Sequence, residues 1–175
     1  MCRPASDPDH LTLGVDTSCD DTAAGVVRGA RHMLSNVVSS QTDLHAAFGG
    51  VVPELASRRH LELMGPVVQE ALARANVGFE DLDAVAVTHG PGLIGSLLVG
   101  VSAAKAYAYS LGVPLVGVNH LEAHVYANVL DGAPLLTPAV CLVASGGHTD
   151  IVLIQKPGAY RVLGWTRDDA AGEAF

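Results

Sequence analysis

The stretch LTLGVDTSCDDTAAGVVRGARHMLSNVVS, residues 11–39, decides the fold. Its strand-like segments at 11–16, 22–28 and 33–39 are short, and a polar turn at 17–21 separates the first two. Short β-prone runs between turn residues at this spacing are typical of an antiparallel meander. We therefore predict three consecutive antiparallel strands at the start of the first domain.

Beyond the meander the apolar residues recur with helical spacing. Residues 53–76 carry them at i, i+3 and i+4, and Pro53 and Gly78 suit a helix start and end. Two more strand–helix pairs follow, with strands at 84–88 and 114–118 and helices at 93–111 and 120–130. Apolar strands between helices favour parallel neighbours. The order β-β-β-α-β-α-β-α predicts an α/β fold, the ribonuclease H-like half of the actin-like ATPase (ASKHA) architecture that actin, Hsp70 and sugar kinases share.

The strand pattern begins again after a linker at 132–138 that contains Gly and Pro. Strands predicted at 139–144, 149–155 and 160–165 repeat the first meander. We expect a disordered leader at 1–10 and a first domain at 11–131. Residues 139–175 would be the start of a second, duplicated domain. Three strands cannot form a full layer with helical cover, so we expect this second domain to be truncated.

Composition narrows the class of protein. The net charge is −8, with ten Lys and Arg spread along 175 residues, which argues against a stand-alone nucleic-acid binder. Three Cys at no metal-like spacing indicate a reducing compartment. The apolar runs are broken by Gly or Pro and no secretory signal is present, so we expect no membrane span and a cytoplasmic location.

The first candidate site is the turn DTSCDDT, residues 16–22. Backbone N–H groups and hydroxyls in such a turn can face a phosphate, and Asp16 can hold a cation or orient a water beside it. An ordinary hairpin turn has the same composition. Both interpretations stay open on this segment alone.

The second candidate site is the turn SGGHT, residues 145–149, again after an apolar strand. Two glycines let the backbone approach a ligand without a Cβ clash, although Ser-Gly-Gly is also common in hairpins. Its place mirrors the first turn. In the actin-like architecture two such turns face each other across a cleft and hold the phosphates of a nucleotide.

A histidine pair is the third candidate, in the segment HLEAH. Residues four apart on a helix differ by about 40° around the axis, so His120 and His124 share a face and can chelate a divalent transition metal. Such a site needs a third ligand, and two exposed surface histidines remain the alternative. Glu122 lies about 200° around from His120, unlike the glutamate of H-E-x-x-H, which disfavours a metallopeptidase.

Six segments in order resemble one family: GVDTSCDDTA, GGVVPELASRRH, THGPGLIGSLLVG, GVNHLEAH, ASGGHT and DDAAGEAF. They are similar to the tRNA N6-adenosine threonylcarbamoyltransferases (bacterial TsaD), once labelled O-sialoglycoprotein endopeptidases, over residues 11–175. The resemblance implies transfer of a threonylcarbamoyl group from threonylcarbamoyl-AMP to N6 of the adenosine beside the anticodon of tRNA.

The resemblance also implies a site. One divalent metal, iron or zinc, would be bound by His120 and His124, and Asp16 would be catalytic. The nucleotide ligand, threonylcarbamoyl-AMP or ATP/ADP, would contact Val143, Ala144, Ser145, Gly146, Gly147 and His148. The implied partners are tRNA, a TsaB-like paralogue bound through the helices at 53–75 and 93–111, and a TsaE-like ATPase. A homodimer through the same helices is a further expectation, and no membrane is implied.

Departures from the family pattern set the remaining expectations. Family members are about twice as long, and their third metal ligand, an Asp, would follow residue 175, as would the Asp after GEAF. We therefore expect transferase activity of the full-length gene product and impaired activity of this fragment. The alternatives are a metallopeptidase, a non-catalytic TsaB-like binding module, and a sugar-kinase-like phosphotransferase.

Overall fold

The chain forms two compact units, Met1–His120 and Leu121–Phe175. The computed structural model describes residues 3–130, 132, 136–145, 147 and 149–174, with the side chains of 173 and 174 excepted. Part of the linker expected at 132–138 lies outside the described residues.

Five strands form the sheet of the first unit in the order β3-β2-β1-β4-β5. They are β1 (Leu11–Asp16), β2 (Asp21–Arg28), β3 (His32–Ser40), β4 (Ala84–Gly90) and β5 (Leu115–Asn119). The first three are antiparallel, and β4 and β5 run parallel to β1. This order confirms the predicted meander and the ribonuclease H-like arrangement. It also brings the carboxyl ends of β1, β4 and β5 to one edge of the sheet.

Two long helices pack on this sheet. Helix α2 (Pro53–Ala75) contacts β2 and β3, and α3 (Ile94–Leu111) contacts β4 and α2. The core between them is made of small aliphatic side chains, with Leu13, Val68 and Val85 fully buried. A short helix, α1 (Thr42–Ala46), precedes α2 and was not predicted. The next helix, α4 (His120–Tyr126), follows β5 directly.

Helix α3 is long and apolar enough to cross a membrane by length and composition alone. This differs from the expectation drawn from the broken apolar runs. Its buried side, Ser96, Gly100, Ala104 and Ala108, is made of small residues, and the helix packs on β4 and α2. That packing is the ordinary role of a sheet-covering helix, which passes the same composition test.

Residues 3–10 differ from the disordered leader expected for 1–10. Arg3 donates its backbone N–H and a guanidinium N–H to the two carboxylate oxygens of Asp83, at 2.7 and 2.9 Å. Leu11 N donates to the same carboxylate at 3.0 Å. These hydrogen bonds connect the segment to Asp83, which precedes β4 and lies 80 positions after Arg3 in the chain.

The second unit repeats the strand–turn–strand–strand pattern. Its strands β6 (Ala139–Ala144), β7 (Thr149–Lys156) and β8 (Ala159–Trp165) form an antiparallel sheet in chain order. Helix α5 (Ala171–Ala174) follows. One sheet face buries Val143, Val152 and Ile154 with Val125 of α4. The exposed apolar residues of the other face are Val140, Leu142, Ile151 and Leu163.

Candidate functional site

The site of the first unit lies where three parallel strands end. Asp16 is the last residue of β1, Thr88 lies near the end of β4, and His120 comes directly after β5. Because β1, β4 and β5 are parallel neighbours, their polar ends meet at one edge. Ligands of open α/β sheets bind at such an edge.

The Asp16 carboxylate is held by three donors. Thr88 Oγ1 donates to Oδ2 at 2.7 Å, and His120 Nδ1 lies 2.9 Å from the same oxygen. Ser18 N donates to Oδ1 at 2.7 Å. Both oxygens are therefore used, and the carboxylate is fixed in orientation.

These contacts set the charge of Asp16. Burial raises the pKa of this carboxyl, but hydrogen bonds from His120, Thr88 and Ser18 outweigh burial and lower the pKa to about 2. At neutral pH Asp16 is ionised and can only accept hydrogen bonds. His120 Nδ1 must then carry the proton, which leaves Nε2 as the basic nitrogen of the ring.

The histidine pair predicted to bind metal lies on α4. His120 is its first residue and His124 is one turn further along. Among the residues that the structure describes, no group of three His, Cys, Asp or Glu side chains is placed to hold a metal ion. Asp16 contacts the His120 ring at Nδ1, so Nε2 is the nitrogen that would have to ligate a metal.

Glu122 is exposed on α4, between the two histidines in sequence. Helix geometry turns it about 200° away from His120. This arrangement is unlike that of a zinc peptidase, in which the glutamate acts as the base.

Helix α3 packs against the turn that follows β1. Thr17 is fully buried, and its hydroxyl donates to Ser96 O at 2.7 Å. A Cβ on Gly100 would collide with Thr17 Oγ1, and a Cβ on Gly92 with Ser18 O. Gly92 and Gly100 therefore allow close packing of α3 and the residues before it against the turn.

His60 supports the same turn from α2. It is fully buried, and its Nε2 lies 3.1 Å from Cys19 O while Nδ1 lies 2.8 Å from Thr22 Oγ1. Since a carbonyl only accepts, Nε2 donates to Cys19 O and Nδ1 accepts from the threonine hydroxyl. Sequence reasoning did not find this role. The signal available was the histidine that ends the segment GGVVPELASRRH.

The predicted nucleotide turn lies between β6 and β7 of the second unit. Val143 and Ala144 end β6, while Gly146 and His148 lie outside the described residues. Ser145 O accepts from Gly172 N at 3.1 Å, and Thr149 Oγ1 accepts from Ala171 N at 2.8 Å. The turn is thus joined to the first residues of α5.

An open pocket of about 440 Å³ lies beside this turn. It is lined by Gly147, Asp150, Val162, Trp165 and Thr166. Of these, only Gly147 was predicted as a site residue. The others could not be found from sequence, because the pairing of β7 with β8 brings them to the turn.

The fold and the sheet-edge site define the class: a ribonuclease H-like, actin-type α/β protein with a histidine pair after its third parallel strand. The family model described as "tRNA N6-adenosine threonylcarbamoyltransferase" (TsaD) matches residues 32–175. The chain belongs to this family.

Named relatives agree with the family model. A tRNA N6-adenosine threonylcarbamoyltransferase of Symbiobacterium thermophilum is 62% identical over 165 residues, 94% of this chain and 48% of the relative. One from Clostridioides difficile is 56% identical over 167 residues, 95% of this chain and 49% of the relative. The chain spans about half the length of the curated relatives it matches.

Solved structures show the same fold at low identity. YeaZ from Pseudomonas aeruginosa matches with a TM-score of 0.55 and 20% identity, over 90% of this chain and 66% of YeaZ. A ROK family glucokinase from Streptomyces griseus matches with a TM-score of 0.52 and 18% identity, over 88% of this chain and 48% of the kinase. At 20% and 18% identity, these likenesses show the fold alone.

Proposed function

We propose that the full-length protein transfers a threonylcarbamoyl group from threonylcarbamoyl-AMP to N6 of the adenosine beside the anticodon of tRNA. The observation that carries this proposal is the Asp16–His120 contact at the carboxyl edge of the sheet, in a chain 62% identical to a named transferase. We also propose a cytoplasmic location, where tRNA is modified.

A divalent metal, iron or zinc, would be held by His120 and His124. When bound, the metal supplies a Lewis acid that polarises the acyl carbonyl of the adenylate. Imidazoles bind metal only when neutral, so metal affinity falls at acid pH. The residues of this chain hold the ligand nitrogen: Asp16 accepts the Nδ1 proton of His120, and Thr88 keeps the carboxylate in place.

The nucleotide, threonylcarbamoyl-AMP or ATP/ADP, would contact the turn that ends β6. Val143, Ala144, Ser145 and Gly147 are the described members of the predicted set, and Gly146 and His148 complete it. Backbone N–H groups in a Gly-rich turn can donate to a phosphate. Such donors stabilise the charge that develops on the leaving adenylate.

The experiment is a chimera in which residues 1–175 replace the matching half of the Symbiobacterium transferase. Expressed in cells depleted of their own enzyme, it should restore threonylcarbamoyladenosine in tRNA, measured by nucleoside mass spectrometry. His120→Ala and His124→Ala should abolish the product. The control, His32→Ala, changes an exposed histidine at the opposite end of the sheet and should keep it. A folded chimera without product contradicts the proposal.

The proposed partners are tRNA, a YeaZ-like (TsaB-like) paralogue and a TsaE-like ATPase, with a homodimer as the competing assembly. The net charge of −8 supports a tRNA surface formed largely by other sequence or by a partner. The paralogue would pack on α2 and α3. Leu61 of α2 and Ile94 and Leu98 of α3 are 68%, 85% and 64% exposed, and an exposed apolar patch favours a protein partner.

Leu98→Asp tests that surface. It should weaken binding to the YeaZ-like protein of the same organism at least about tenfold, because a charge would be buried at the interface. Isothermal titration calorimetry measures the affinity. Leu44→Asp, on exposed α1, is the matched control and should bind normally. Equal loss in both variants would argue against α3 as the docking surface.

A further inference from the structure

Asp16 was predicted to act at a phosphate, but its carboxylate contacts a histidine. Oδ2 lies 2.9 Å from His120 Nδ1, and the two side chains are about three-quarters buried. A carboxylate that accepts the N–H of a metal-binding histidine fixes the tautomer and the direction of the ring, and raises the basicity of the other nitrogen.

We propose that Asp16 is a positioning residue for the metal ligand His120, whose Nδ1 proton it accepts so that Nε2 is presented to the metal. This inference rests on the proposed function, because that function requires the histidine pair to bind metal. It assigns Asp16 a role through His120 and not through a phosphate or a water.

The carboxylate is suited to this role because its own position is fixed. Ser18 N holds Oδ1 at 2.7 Å, and the Thr88 hydroxyl, on the neighbouring strand, holds Oδ2 at 2.7 Å. Ser18 Oγ lies 3.2 Å from His120 Nδ1 as well. The ring is therefore oriented by groups on two strands and one turn, and all of them belong to the first unit.

The same contacts argue against Asp16 as a direct metal ligand. Oδ2 already accepts from Thr88 and His120, and Oδ1 accepts from Ser18 N. Within the described part of the chain, Asp16 forms no three-residue metal cluster with the histidines. Asp16 would therefore act on a bound metal through its hydrogen bond to His120 Nδ1, with the imidazole ring between the carboxylate and the metal.

Asp16→Asn is the decisive variant. If the asparagine side chain keeps its oxygen on Ser18 N, its NH₂ group faces His120 Nδ1. Nδ1 must then accept a hydrogen bond from this NH₂ group. The proton moves to Nε2, where it blocks the metal. Two-dimensional ¹H–¹⁵N spectra of the metal-free 175-residue chain should show the Nδ1–H tautomer of His120, and the variant should shift it towards Nε2–H.

Zinc affinity gives the second readout, measured with Zn²⁺ alone by competition with a chromophoric chelator. Asp16→Asn should weaken zinc binding about 10- to 100-fold. Thr88→Val should weaken it less, because it removes one hydrogen bond and leaves the carboxylate. Asp83→Asn is the control: it neutralises another buried carboxylate that holds Arg3 and Leu11. It should lower stability and leave both the tautomer and zinc affinity unchanged.

The outcomes separate the two proposals. Unchanged tautomer and zinc affinity in Asp16→Asn would overturn the positioning role, and so would an equal loss in Asp83→Asn. A wild-type chain that binds zinc no better than the His120→Ala, His124→Ala double variant would overturn it too. The product of the chimera tests the transferase proposal separately, so a chimera that restores the product together with any of these results would overturn the positioning role alone.

Discussion

Cys19 is exposed, yet its surroundings disfavour the thiolate form of its side chain. Burial of its thiol, followed by the hydrogen bond and charge of Asp20 and the charge of Asp21, raises the pKa to about 11. An ordinary thiol has a pKa of about 8.5, so Cys19 holds on the order of 100-fold less thiolate at neutral pH.

We expect iodoacetamide at pH 7.5 to alkylate Cys19 far more slowly than glutathione, as measured by peptide mass spectrometry. Asp20→Asn should speed the reaction, because it removes the neighbouring carboxylate. Reaction at the rate of glutathione would show that the thiol is not suppressed.

Asp83 is a second residue whose charge depends on the fold. Burial raises its pKa, but hydrogen bonds from the backbones of Arg3 and Leu11 and from the Arg3 guanidinium lower it overall. A lowered pKa means that the ionised form stabilises the folded state above the unfolded-state pKa of about 4. This contribution is lost as the pH falls through the folded-state value.

Asp83→Asn should therefore lower the free energy of unfolding by about 1–3 kcal/mol at pH 7, and the difference from wild type should shrink at pH 3. Urea titrations followed by circular dichroism measure this. Asp43→Asn, an exposed aspartate of α1, should change stability little at either pH. A difference for Asp83→Asn that stays constant with pH would contradict the ionised role.

The site shows what sequence can predict at the residue scale. Asp16 and His120 were each predicted from their own motifs, yet 104 positions separate them. Their contact follows from the strand order β1-β4-β5, which places both at one edge. Thr88 was missed because a threonine at the end of an apolar strand has no local signal of its own.

Among the elements, α3 depends on a glycine. A Cβ at Gly100 would meet the buried Thr17 hydroxyl, so Gly100→Ala must displace either the helix or the turn. We expect a loss of about 1–3 kcal/mol in the free energy of unfolding. Gly50→Ala, in open space before α2, should be neutral or stabilise by up to about 1 kcal/mol. Denaturant titrations compare the two, and equal effects would argue against close packing of α3.

Helices were predicted correctly where the apolar pattern of the sequence extends over several helical turns. The 23 residues of α2 and the 18 of α3 each show several turns of pattern. Helix α1, with five residues, is too short for periodicity to appear. The ordered contacts of residues 3–10 were not predicted for a different reason. Arg3 carries no local signal, and its hydrogen-bond partner Asp83 lies 80 positions away.

The whole molecule has an exposed apolar face. On the second sheet, Val140 and Leu142 are 66% and 63% exposed. A patch of this kind favours association, so we expect the 175-residue chain to self-associate at micromolar concentration. Sedimentation velocity should show this, and Leu142→Lys with Val140→Lys should reduce it. A strictly monomeric wild-type chain would contradict the expectation.

The connection between β5 and α4 has no loop, since the strand ends at Asn119 and the helix begins at His120. One inserted residue would rotate the following helix by about 100°, and would turn the His120 ring away from Asp16. We expect a single-codon insertion or deletion here to separate His120 from Asp16 while the five-stranded sheet stays intact.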